Sequence, residues 1–362
     1  MSKKILITII TSFYNSSHFI NSYQKTILDQ DFSKTFEIIM VNDGSTDDSV
    51  QKIKKLNLKN LRLFSLKKNY GPSRGRNLAI KKAKGDYIFF LDIDDTMEKN
   101  TLSTLYKKAI NSRVDFIFCD TKWIENSNNQ REGIYSYSKD KIIKNSEITT
   151  VMINRLYNPQ QTPAMVTAKG RLIKRLLLIS KKILFEEKLK YLEDEIFNWD
   201  LLAHVKRAQY VKKQLYCYHT HPEIPSGIIS SVQFMFNISK FKIIIEHIKK
   251  SLIVRGVSET IAKKHGNQAL IFFIINLLIS NSKSMFQKKI NFKVGKSNQR
   301  KIIKTILTSK EIEKGIAQYS IVEGENLLIP KAIYLKKKKI LQIESDKRAK
   351  EILYLRSKKR YI

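Results

Sequence analysis

Five short apolar runs punctuate the first 120 residues: Ile5–Ile10, Phe36–Val41, Leu61–Leu66, Tyr87–Leu91 and Val114–Cys119. Near-continuous runs of this length predict strands covered on both faces, as in a parallel sheet. Between them, Phe19, Ile20, Tyr23, Ile27 and Leu28 share one helical face behind a Ser16/Ser17 cap, and Val50, Ile53 and Leu56 share another. The alternation predicts an open, doubly wound α/β fold. From about residue 232 the period changes: Phe234, Ile238, Phe241, Ile245, Ile248 and Leu252 recur at helical spacing. The longest apolar stretch, Ala269–Ile279, contains Asn276 and is shorter than the roughly 20 residues that cross a bilayer. Thr8, Thr11, Ser12 and Asn15 interrupt the first run before any signal-peptide cleavage pattern, so a buried first strand is the expected reading.

In a doubly wound sheet, ligands meet the carboxyl ends of the strands, where loops and helix N-termini converge. The informative polar residues stand there. Thr11-Ser12-Phe13-Tyr14-Asn15 follows the first run, Asn42-Asp43-Gly44-Ser45-Thr46-Asp47-Asp48 the second, and Asp92-Ile93-Asp94-Asp95 the fourth. Neither GxxxxGK(S/T) nor GxGxxG occurs, which argues against a P-loop NTPase and an ordinary dinucleotide-binding fold. Three clustered carboxylates are costly to hold together without a cation. Hard oxygen ligands suit Mg²⁺ or Mn²⁺, which would in turn bind a diphosphate. The plainer alternative is a solvated acidic turn capping a helix that starts near Glu98. Cys119 and Cys217 lie far apart and form no CxxC, so neither a disulfide framework nor a zinc site is expected, and a reducing cytoplasm is the natural setting.

Ser12-Phe13-Tyr14-Asn15, Val41–Asp47, Asn69–Asn77 and Gly85–Asp95 resemble the successive signatures of family 2 glycosyltransferases. The resemblance is close over 1–120 and looser to about 231. It implies an inverting enzyme with the GT-A fold, a Rossmann-like, mostly parallel sheet with helices on both faces, that takes a nucleotide-sugar donor. It further implies a nucleotide-sugar-binding half at 1–120 and an acceptor-binding half with the catalytic base at 121–231. A basic α-helical region at 232–362 follows.

Carried over by position, the resemblance places Ser12 and Tyr14 at the nucleotide, with the Tyr14 ring on the base. Asp43 takes the position that accepts the N3–H of uracil, which favours a uridine donor. An Asx-turn before Gly44 is its structural alternative. Arg74 and Arg76 fall close to ribose and diphosphate, where guanidinium forks suit phosphate oxygens, or are surface helix charges. Asp92, Asp94 and Asp95 divide the ribose and metal contacts among them. Tyr191-Leu192-Glu193-Asp194-Glu195-Ile196-Phe197 resembles the family's ED motif, with Asp194 as general base, Glu193 as its competitor, and a plain helix first turn as the alternative. In Lys169-Gly170-Arg171, which falls on the acceptor side, Lys169 replaces the usual aromatic and points to an anionic acceptor. Tyr216–His221 with Ser226–Ser230 resembles a flexible loop near the diphosphate, where His219 faces phosphate or the metal.

Composition sharpens the partners. The chain carries 67 Lys+Arg against 33 Asp+Glu, a net charge of +34. Residues 1–120 hold 20 of the basic and 13 of the acidic residues, so only +7 lies there and +27 lies beyond. Basic amphipathic helices fit an anionic inner-membrane surface, and their apolar faces also fit a bundle or a homo-oligomer contact. A nucleic-acid partner is not expected, because the best motifs are acidic and no RNP-type signature is present. The expected protein is a metal-dependent transferase, cytoplasmic and peripheral at the inner membrane, that moves a sugar onto a hydroxyl of a glycan or lipid-linked glycan of the bacterial surface. A nucleic-acid-binding protein and a catalytically silent GT-A scaffold are the alternatives.

Overall fold

The structure is a computed structural model that describes residues 4–125, 129–131, 136–157, 168–189, 192–221, 238–288, 290–321 and 327–357. It divides into two compact units, Met1–Ile148 with Pro163–His221, and Thr149–Thr162 with Pro222–Ile362. Of the sequence expectations, Tyr191, the Ser226–Ser230 segment, Phe234 and the basic Lys358–Arg360 lie outside the described residues.

The first unit is a mixed sheet with helices. Its elements are β1 (Ile7–Phe13), α1 (Ile20–Leu28), β2 (Phe36–Asn42), α2 (Ser49–Lys54), β3 (Leu61–Ser65), α3 (Pro72–Lys82), β4 (Tyr87–Phe90) and β5 (Thr96–Met97). Then come α4 (Thr101–Ser112), β6 (Phe116–Glu125), β7 (Asn129–Arg131), β8 (Lys141–Lys144) and the start of α5 (Asn145–Tyr157), which from Thr149 onward belongs to the second unit. β9 (Arg171–Lys174), α6 (Arg175–Ser180), α7 (Glu193–His204) and β10 (Arg207–Thr220) complete it. Among the described residues the main strand order is β3-β2-β1-β4-β9-β6-β10-β5. β3, β2, β1 and β4 run parallel, and all residues of β4 are buried, which explains why these strands read as unbroken apolar runs. β9 runs antiparallel to both β4 and β6, so the far half of the sheet is mixed.

Two local expectations are corrected. Ser16 and Ser17 do not cap α1, whose N-cap is Phe19 without a side-chain cap bond. Instead Ser16 N–H donates to Ser49 Oγ (2.8 Å) and Ser17 N–H to Asp47 Oδ2 (3.2 Å), tying the loop after β1 to the one after β2. Residue 120 is also no boundary, because β6 runs through it and pairs with β9 and β10 in the same sheet.

The second unit is helical, with α8 (Ile238–Val254), α9 (Glu259–Phe286), α10 (Phe292–Thr308), α11 (Lys310–Ile316), α12 (Leu328–Tyr334) and α13 (Lys338–Ser357). α9 packs against α8, α10, α11 and α13, which is why it is apolar all round. By length and composition it would cross a membrane, yet most of it is buried within the unit, as befits a core helix. A buried polar network fixes its neighbours: the Gln299 amide donates to Ser282 Oγ (3.1 Å), Ser345 Oγ (3.1 Å) and Asp346 Oδ1 (2.7 Å). Lys296 Nζ lies 2.5 Å from the other oxygen of Asp346. Such a network ties α9, α10 and α13 to one register.

Candidate active site

The site is built at the carboxyl end of the parallel strands of the first unit. β1 and β2 deliver two loops that brace each other: Asn15 N–H donates to Ser45 Oγ (3.0 Å), and Thr46 N–H to Asn15 Oδ1 (2.8 Å). Gly44 is required at the turn, because its φ is +76° and a Cβ there would lie 2.4 Å from the backbone of Lys68. With the loop so held, the Tyr14 ring stays 44% exposed. Ser12 Oγ, by contrast, is buried without a hydrogen-bond partner, pressed toward Gly75 in α3. Asn42 Oδ1 accepts from the backbone N–H of Ser45, three residues on (2.8 Å). Asp43 is 3% exposed, and its two oxygens accept from the backbone N–H groups of Tyr70 (2.9 Å) and Gly71 (2.7 Å). It therefore clasps the loop leading into α3, and any base contact must use its remaining lone pairs.

Asp92, Asp94 and Asp95 follow β4 in a tight turn in which Asp95 N–H donates to Asp92 C=O (3.2 Å). Each offers an oxygen within 4.8 Å of the others. Their surroundings differ. Asp92 Oδ1 accepts from Arg76 (3.0 Å) and its Oδ2 from Lys169 (2.5 Å). Asp95, fully buried, accepts from Tyr216 Oη (2.6 Å), from the His219 backbone N–H (3.0 Å) and from Lys169 Nζ (3.3 Å). Asp94 has no hydrogen-bonding or ionic side-chain partner among the described residues. Burial alone would raise the Asp92 carboxyl, but Lys169 and Arg76 hold it well below the usual carboxylate range. Burial raises Asp94, with the Asp92 charge adding to the effect. Burial pushes Asp95 up to about 6 against the pull of Lys169.

Glu193 and Asp194 open α7, and behind them the Phe197 ring packs on Phe185 (4.1 Å) and Phe90 (5.7 Å). Arg76, 6% exposed and held over the Phe185 ring, joins the two acidic groups. It lies 2.8 Å from Asp194, 3.6 Å from Glu193 and 3.0 Å from Asp92. Burial, with the Asp194 charge, raises Glu193 to about 7.

The structure brings Arg76, Asp92, Asp94, Asp95, Lys169, Glu193 and Asp194 into one cluster. Arg76 is a clamp between carboxylates here and not a free phosphate ligand. Arg74 stands apart, half-exposed, paired with Glu187 (3.1 Å) and stacked on Tyr70. Lys169 and Arg171 do not present charge to an acceptor as expected. Lys169 is engaged by the acidic turn, and Arg171 is 1% exposed with its guanidinium on Asn198 Oδ1 (3.0 Å) and the Lys169 carbonyl (3.0 Å). Burial lowers Arg171 to about 9. His219 sits on strand β10 and not in a loop, and its Nε2 shares a hydrogen bond with Thr96 Oγ1 (2.8 Å). Among the described residues His221 Nε2 is buried without a hydrogen-bond partner, and its ring lies 4.6 Å from that of Phe19. Tyr216, whose Oη donates to Asp95, was read only as part of a loop segment, and no local signal marked it as a partner of the acidic turn.

A parallel α/β sheet with a carboxylate cluster beyond its strand ends and a second acidic pair on a facing helix N-terminus defines a GT-A-type domain. Residues 8–175 match the family "Glycosyl transferase family 2". It is 30% identical over 219 residues to the poly(ribitol-phosphate) beta-N-acetylglucosaminyltransferase TarS of Staphylococcus aureus, covering 60% of this chain and 36% of TarS. This chain spans about a third of the length of the first curated relatives it matches. Solved structures of S. aureus TarS 1–349 with UDP and with UDP-GlcNAc share its fold, each with TM-score 0.63 and 20% identity over 96% of this chain and 92% of theirs. The mannosyltransferase PcManGT of Pyrobaculum calidifontis, solved with GDP-Man and Mn²⁺, gives TM-score 0.50 and 14% identity over 85% of this chain and 89% of its own.

Proposed function

We propose that this chain is an inverting glycosyltransferase that moves a sugar from a nucleotide donor, UDP-linked, to a hydroxyl of a glycan or lipid-linked glycan in the synthesis of a bacterial surface polysaccharide. The observation that carries this reading is the convergence of the Asp92–Asp95 turn and the Glu193/Asp194 pair on Arg76. Transfer with inversion needs a carboxylate that takes the proton of the attacking hydroxyl, and Asp194 stands in the first turn of α7, held 2.8 Å from the Arg76 guanidinium. Glu193, raised to about 7 and 3.6 Å from the same guanidinium, titrates where a general base works best at neutral pH and is the competitor for the role. The exposed Tyr14 ring offers a stacking surface for the base, and Asp43 fixes the loop beside it. UDP in the TarS complex and the uridine-suited position of Asp43 together favour a uridine donor.

The oxygens of Asp92, Asp94 and Asp95 fit a hard divalent cation, Mn²⁺ or Mg²⁺, and the unpartnered Asp94 carboxylate is the donor most open to one. When bound, such an ion supplies charge neutralisation for the departing nucleoside diphosphate. A screen of nucleotide sugars by Mn²⁺-dependent thermal shift, followed by product analysis with oligosaccharide and polyol-phosphate acceptors, tests the reading. Stabilisation by UDP-sugars and a product of inverted configuration are expected; no response to any nucleotide sugar would sink it.

We further propose that the helical unit rests on an anionic cytoplasmic leaflet. In its last two helices exposed Leu328, Tyr334, Ile340 and Ile343 are interleaved with exposed Lys336–Lys339, the pairing of apolar and basic groups that interfacial helices use. Cosedimentation with phosphatidylglycerol vesicles but not with phosphatidylcholine vesicles is expected. A soluble homo-oligomer without vesicle binding would favour the oligomer role for these faces.

A further inference from the structure

The acidic cluster already contains a cation. Phe90 and Lys169 form a parallel bridge at the end of β4, which sets residue 169 beside the Asp92–Asp95 turn. Gly170 permits the approach: its φ is +69°, and a Cβ there would press on the Tyr216 side chain at 3.0 Å. Arg171 holds the Lys169 carbonyl from below (3.0 Å). The ammonium is thus delivered to a defined seat, 2.5 Å from Asp92 Oδ2 and 3.3 Å from Asp95 Oδ2, with the Tyr218 ring 4.9 Å away as one wall. Asp92 and Asp95 are two of the three carboxylates that a divalent ion would use.

We infer that Lys169 is an internal counter-ion of the acidic turn, a positioning residue that competes with the divalent cation for Asp92 and Asp95 and leaves Asp94 as the carboxylate free to ligate it. The inference rests on the metal reading proposed above. Its logic is electrostatic. An ammonium and a divalent ion cannot both approach the same carboxylate oxygens closely without mutual repulsion, so the metal binds against the cost of moving Lys169. Asp92 keeps its Arg76 partner and Asp95 its Tyr216 partner when Lys169 is gone, so neither is left unpaired.

The test is Mn²⁺ binding to the full chain, read from the electron paramagnetic resonance of the free ion, for wild type, K169M, K169Q and D94N, with and without UDP. K169M and K169Q are expected to bind Mn²⁺ at least tenfold more tightly than wild type, and D94N at least tenfold more weakly. Equal or weaker binding by both Lys169 variants, with binding by wild type intact, overturns the inference alone. No binding by wild type or by either Lys169 variant, even with UDP, overturns the metal reading as well. Circular dichroism reports whether the variants fold. Should they not, mass-spectrometric mapping of amine acylation on the wild-type protein decides: labelling of Lys169 is expected to rise at least threefold when Mn²⁺ is added, and unchanged labelling refutes the competition.

Discussion

The carboxylate cluster of the first unit and the Lys336–Lys339 stretch of the second handle charge in opposite ways. In the first, Arg76, Asp92, Asp95 and Lys169 are largely or wholly removed from water and satisfied by one another within a few ångströms. In the second, Lys336–Lys339 stand in solvent, and pairs such as Lys336–Glu313 are exposed on both sides. Most of the net charge of +34 lies outside the first 120 residues, yet the chemistry concentrates where the net charge is small. Net charge reports what surface a protein can meet; paired buried charge reports where a reaction is organised.

That contrast can be broken by substitution. The largest effect is expected for Asp194→Asn, which should cut transfer about 10³-fold while leaving the circular dichroism spectrum unchanged. Near-normal turnover would move the base role to Glu193. Arg76→Met should destabilise the protein by about 3 kcal/mol or more, because Asp92, Glu193 and Asp194 lose their shared buried cation. Denaturant unfolding measures it, and a change below about 1 kcal/mol would show that the clamp is not structural.

A pH series sharpens the comparison further. Glu193 ionises near 4.5 in the unfolded chain and near 7 in the fold, so between those values the folded state holds the extra proton. Stability should therefore fall as pH rises from about 4.5 to about 7 and then level off, by about 3 kcal/mol for this one group. Glu193→Gln should flatten that portion of the curve of unfolding free energy against pH. In the helical unit, Gln299→Leu should cost about 2 kcal/mol by removing the buried donor that links Ser282, Ser345 and Asp346, seen as a lowered urea midpoint. Replacing Lys336–Lys339 with alanine should shift stability by no more than about 0.5 kcal/mol. Its expected effect is instead on vesicle cosedimentation, and unchanged binding would reassign that face.

The strands of the first unit were legible because each is a buried apolar run, and β1 to β4 fall within a few residues of their expected places. The polar residues at their carboxyl ends were legible for the same topological reason. β10 was not. Tyr216-Cys217-Tyr218-His219 reads as a polar loop segment, but in the fold it pairs with β6 through an irregular register and so becomes a strand. Long-range pairing overrides local pattern there. The surroundings of Arg76, Lys169 and Arg171 were illegible for a related reason, since which groups a buried cation meets is decided by the fold.

By itself, then, the sequence determined the class of fold, the strand ends that carry the chemistry, and the kinds of residue that stand there, because these follow from local periodicity and the topology of parallel sheets. Only the tertiary structure decided who partners whom. Asp92 meets Lys169 across 77 positions and Arg76 meets Asp194 across 118, and no local pattern encodes such encounters. They arise when the packed sheet closes off water and each buried carboxylate is held by the nearest cation.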